Sequence, residues 1–114
     1  MDKTEMRERT KLFALRSLKL CRALPNTYEG RAVRGQLVRC GTSVGANYRA
    51  ALRARSKAEF RAKLGIVEEE ADESLLWMEI IIEDKMLSAN RVQPLLKECD
   101  EILAIVVTTI KNSR

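Results

Sequence analysis

The stretch SKAEFRAKLGIVEEEADESLLWMEIII, Ser56 to Ile82, decides the fold. Phe60, Leu64, Val67, Ala71, Leu75, Met78 and Ile82 recur at spacings of four, three, four, four, three and four. That is the period of one helix face, and no strand template fits so long a run. Ser56 followed by Glu59 is an S-x-x-E capping box, in which the serine oxygen satisfies an orphan backbone N–H of the first turn. It predicts a turn near Arg55 and a helix from Lys57 to about Leu87. A second set of apolar residues, Ile66, Leu76, Trp77 and Ile80, lies off this stripe. A helix that is apolar on two sides touches two partners, so these four are the expected oligomer interface.

Working outward, three further helical segments appear. The first is expected from about Thr4 to Ala23, with Phe13, Ser17, Leu20 and Leu24 on one face, Ala14, Leu18 and Cys21 beside them, and Arg9, Arg16, Lys19 and Arg22 mostly opposite. Pro25, Asn26 and Thr27 end it. The second is expected from Glu29 to Arg53, on a stripe of Val33, Leu37, Cys40, Val44, Tyr48 and Ala51. Gly41 and Gly45 lie on or beside that stripe. Each costs up to about 1 kcal/mol against alanine in a helix, which points to a close helix approach. Ser43 and Asn47, four apart at the edge of the stripe, read as a hydrogen-bonded helix crossing. The fourth helix is expected from about Arg91, with Pro94 in its first turn and Val92, Leu95, Leu96, Cys99, Ile102, Leu103, Val106 and Ile110 as its stripe. Short breaks between long amphipathic helices make neighbours antiparallel. The expected fold is all-α: a single up-down-up-down four-helix bundle over residues 1–114.

Composition narrows the function. With no histidine in 114 residues, Ser-His-Asp and Cys-His catalysis and histidine-based metal sites drop out. Cys21, Cys40 and Cys99 are odd in number and widely spaced, so they read as reduced core thiols of a cytoplasmic protein. The chain is charged from Asp2 onward, so no secretory leader is expected, and no run reaches the roughly 20 apolar residues of a membrane span. In the acidic run, Glu69 and Glu73 share one helix face and Glu68 and Asp72 another; this reads as a solvated or salt-bridged surface. No enzyme activity, metal or cofactor is expected.

Charge is distributed unevenly. Residues 1–55 carry 13 Lys+Arg against 4 Asp+Glu; residues 56–114 carry 8 against 12. Arg31, Arg39, Arg49 and Arg53 cluster within about a quarter of the second helix's circumference. A line of arginines suits phosphate, and it suits the acidic third helix equally well. Nucleic acid is the expected partner of this face, with ion pairs inside or between protomers as the alternative.

The run Gln36 to Asn47 (QLVRCGTSVGAN), with Ser56-Lys57-Ala58-Glu59-Phe60 and Leu64-Gly65-Ile66-Val67 downstream, resembles the bacterial four-helix-bundle proteins linked to intervening sequences of 23S ribosomal RNA, the S23-like family. The similarity spans nearly the whole chain. It implies a homo-oligomer, a pentamer by preference, and association with RNA. A more distant similarity is to the accessory protein of diversity-generating retroelements, which binds nucleic acid and a reverse transcriptase; it implies DNA, or a nucleic-acid enzyme, as a further kind of partner. Many family members carry Glu-Gly shortly after the asparagine, where this chain has Arg49-Ala50, so no role of that acidic position carries over. A protein-interaction scaffold is the second functional expectation.

Overall fold

The computed structural model describes residues 2–114. Four helices, α1 (Lys3–Arg22), α2 (Tyr28–Leu52), α3 (Lys57–Glu83) and α4 (Ala89–Asn112), form an antiparallel bundle measuring 45 × 22 × 19 Å. Consecutive helices pack side by side and α4 closes on α1. The backbones of the diagonal pairs α1–α3 and α2–α4 do not approach closely, so every helix keeps an outward face. At one end Lys3 of α1 reaches across to lie 5.5 Å over the Phe60 ring of α3.

Side-chain caps start three of the four helices. Asp2 accepts from the Glu5 N–H, Thr27 from Gly30 and Ser56 from Glu59. Glu59 reaches past Ser56 and accepts from the Arg55 N–H at 3.3 Å, so the box closes one residue further out than expected. The first turn is tied by Arg34, whose Nε donates to the Cys21 carbonyl at 3.1 Å and whose Nη2 donates to Leu24 at 2.9 Å. It thereby adds a second donor to the Cys21 carbonyl, which also accepts from the Leu24 N–H, and supplies one to the Leu24 carbonyl just beyond α1.

Two boundaries differ from the sequence reading. α3 stops at Glu83, not Leu87. Lys85 adopts φ 59°, its N–H donates to Ile82, and the Met86 N–H donates back to Ile81 at 2.9 Å. This is a Schellman termination with lysine where glycine is usual, so no glycine flagged it. α4 starts at Ala89 after Ser88, which puts Pro94 in the second turn and leaves the Asn90 carbonyl without its helical donor.

The buried face of α3 also shifts. Leu64, Val67, Ala71, Ser74, Met78 and Ile81 are buried; Phe60, Leu75 and Ile82 only partly so. The spacing is three and four in strict alternation, a seven-residue repeat. That 3.5 period keeps one seam against neighbouring helices, whereas a 3.6-period stripe drifts off it. Val92, Leu95, Cys99, Ile102 and Val106 repeat the pattern on α4, and all six apolar residues expected on α2 are buried.

The α1–α2 seam is made of small residues. A Cβ on Gly41 would meet Ser17 Oγ at 2.7 Å, and one on Gly45 would meet the Thr10 carbonyl at 3.2 Å. Both glycines therefore permit the close approach that their cost implied. The buried hydroxyls satisfy themselves locally: Thr10 donates to Arg7, Ser17 to Phe13 and Ser74 to Glu70.

Candidate nucleic-acid interface

The four arginines of α2 fall into different environments. Arg31, near the start of the helix, donates to the carbonyl and side-chain oxygens of Asn26 at 3.1 and 3.2 Å. Arg39 turns toward α3, pairing with Glu70 at 3.0 Å and with Glu73. The Glu73 hydrogen bond, with Glu70's charge behind it, raises the Arg39 pKa above its ordinary value. Arg49 and Arg53 have neither ion pair nor side-chain hydrogen bond among the described residues. At 1.5 Å per residue, Arg31 and Arg53 stand about 33 Å apart along the helix. They do not form one compact site.

Arg49 and Arg53 do gather other cations. They line a groove of about 590 Å³ between α2 and α3 with Arg55, Lys63, Glu59, Ala46 and Ala50. On the other flank of α2 they meet Arg7 and Leu52. A further groove beside it holds Lys11, Ala14, Thr42, Gly45, Ala46 and Arg49. Arg49 thus stands on a ridge with cationic grooves on both sides. Sequence reasoning left out Arg7, Lys11, Arg55 and Lys63, because they lie on three other segments and only the bundle end brings them together. Glu59 is the acidic side chain lining the first groove, and it is engaged by the Arg55 N–H.

Ser43 and Asn47 bond within their own helix, not across a crossing: Ser43 Oγ donates to the Arg39 carbonyl and Asn47 Nδ2 to Ser43. Of the expected interface residues, Leu76 is 48% exposed, whereas Trp77 and Ile80 pack partly on the core and Ile66 is half-buried. The Trp77 indole donates to Glu73 Oε2 at 3.2 Å, which extends the Arg39–Glu73 pair along the α2–α3 flank. Leu12 and Leu15 on α1, unremarked in the sequence, are more exposed still, at 55% and 54%.

Arg9 also departs from expectation. It is tucked between α1 and α4, donating through Nε and Nη2 to Glu98 and through Nη2 to Glu101. The cysteines are buried thiols. Burial pushes Cys21 up to about 11 and raises Cys40 and Cys99 as well, which suppresses thiolate chemistry. Among the described residues no three His, Cys, Asp or Glu side chains converge on a metal-sized site, and no helix is long and apolar enough to cross a membrane.

No functionally curated protein matches the sequence. A crystal structure of a protein of unknown function from the S23 ribosomal protein family of Bacteroides thetaiotaomicron superposes with a TM-score of 0.90. It is 31% identical, and the match covers 97% of this chain and 99% of that one. The model of the 23S rRNA-intervening sequence protein family matches residues 2–108. With that match running from the start of α1 to residue 108 of α4, this chain belongs to the 23S rRNA-intervening sequence protein family.

Proposed function

We propose that the protein is a non-catalytic, homo-oligomeric nucleic-acid-associated bundle that grips phosphate at the cationic end of α2. The observation that carries this reading is the pair Arg49 and Arg53, unpartnered by acid and flanked by Arg7, Lys11, Arg55 and Lys63 in grooves on both sides of the helix. Arginines with no internal carboxylate keep their donors for an external anion, and phosphate is the anion their forked geometry fits. Arg39 is excluded from this role, because Glu70 and Glu73 hold it. The family's link to 23S rRNA makes RNA the first nucleic acid to test. The resemblance that implies a pentamer supports repeated copies of the grip, so that modest contacts add through multivalency.

Such contacts position a partner without reading bases. Binding to RNA and DNA duplexes and single strands is therefore expected to fall steeply with salt, with a logarithmic slope of about −0.7 to −0.9 per phosphate contact. Arg49→Glu with Arg53→Glu should abolish it at unchanged helicity, while Arg39→Gln should leave it intact. A wild-type protein with no affinity for either nucleic acid at about 50 mM salt, where such contacts are strong, would overturn the reading and favour a protein-interaction scaffold.

A further inference from the structure

Two outward faces of the bundle carry matched apolar residues and opposite charge. On α1, Leu12 and Leu15 stand half-exposed among exposed Lys11, Lys19 and Arg22. Glu8 is the one acid among them and is itself paired with Lys11 at 3.9 Å. On α3, Leu76 is 48% exposed with Ile80 beside it, ringed by exposed Glu69, Asp72, Glu79 and Glu83. At 100° per residue, each set falls within an arc of about 100° on its helix, so each is one face. α1 and α3 are diagonal partners whose backbones do not approach closely, so the two faces look away from each other on opposite sides of the bundle.

We infer that copies of this chain associate head to tail, the acidic α3 face of one protomer seating on the basic α1 face of the next. Its occupant is a second copy because the chain itself supplies the complement of each face. An isologous pairing through α3 would set four exposed carboxylates against four others, and one through α1 would oppose two clusters of cations. Like-charge juxtaposition across an interface costs enough to suppress a wrong pairing. The α3-to-α1 pairing joins apolar centre to apolar centre and opposite charges at the rim. Using two different patches is heterologous association, which propagates until rotation closes a ring. Of the residues lining the cationic grooves at Arg49 and Arg53, Lys11 alone also borders the α1 face.

This inference rests on the self-association in the proposed function, not on nucleic-acid binding, and a mixing experiment separates them. Leu12→Glu with Leu15→Glu damages only the α1 face; Leu76→Glu damages only the α3 face. All three positions are about half-exposed, so both variants should keep wild-type helicity by circular dichroism. Each alone is expected as a monomer in sedimentation velocity. Their equimolar mixture is expected to form a one-to-one heterodimer and stop there, because one intact pair of faces remains. Assembly of the Leu12→Glu/Leu15→Glu variant by itself, or a mixture that stays monomeric while wild type assembles, overturns the head-to-tail arrangement. A variant that loses helicity is replaced by Leu15→Cys and Leu76→Cys proteins, whose introduced thiols are accessible while the native three are buried. A bis-maleimide should then join the two in a mixture and neither by itself; Leu76→Cys linking to itself overturns the proposal. A wild type that is monomeric at tens of micromolar overturns the inference together with self-association, and leaves salt-dependent nucleic-acid binding to its own test.

Discussion

Arg9 of α1 holds Glu98 of α4 with two nitrogens, Nε to Oε2 and Nη2 to Oε1, both at 2.7 Å. The side chains are 19% and 18% exposed, so the pair is largely shielded from screening. Bidentate geometry of this kind is the strong form of a charge-assisted hydrogen bond. It raises the Arg9 pKa, chiefly through the Glu98 hydrogen bond, and it closes the ring of helices where the first meets the last. Arg9→Ala is expected to cost about 1.5–3 kcal/mol in urea denaturation, in the range of hydrogen bonds to charged groups. A double-mutant cycle with Glu98→Ala should show positive coupling. Additive losses would mean that the two side chains stabilise the protein independently.

The α1–α2 seam makes a sharper prediction, because two glycines of one helix should respond with opposite sign. A Cβ at Gly41 would sit 2.7 Å from Ser17 Oγ, whose hydroxyl is buried and bonded to Phe13. Gly41→Ala should destabilise the bundle by about 1–3 kcal/mol through overpacking. Gly35 has nothing within 4 Å of its would-be Cβ. Gly35→Ala should stabilise by up to about 1 kcal/mol, the helix-propensity difference. Thermal melts of the two variants measure both signs.

Acid should act at the α2–α3 flank. The Arg39 hydrogen bond, aided by the Trp77 indole, holds Glu73 below its ordinary value of 4.5. A carboxyl depressed in the folded state contributes stability that is present above its ordinary value and is lost as pH falls through the depressed one. Trp77 is the single tryptophan, and its indole bonds directly to this carboxylate. Its fluorescence should therefore titrate with a midpoint below 4.5, and Arg39→Gln should move that midpoint upward. A midpoint indifferent to Arg39 would show that the pair does not control Glu73.

The sequence by itself determined the four helices, their antiparallel order and most of the core. Those features follow from local periodicity and from caps such as Ser56, whose partners lie within a few residues. It also determined that Gly41 and Gly45 mark a close approach, since their cost within a helix needs a return elsewhere. What only the tertiary structure decided depends on groups distant in sequence. Ser74 and Ile81 replace Leu75 and Ile82 in the core because neighbouring helices impose a 3.5-residue seam, which is a property of the bundle and not of one helix. Lys85 ends α3 through a backbone conformation that its residue type does not announce. Among the α2 arginines, chemistry alone could not separate Arg39 from Arg49. Ion pairing falls off within a few ångströms, and only folding decides that Glu70 and Glu73 come within reach of the one while the other is left among cations.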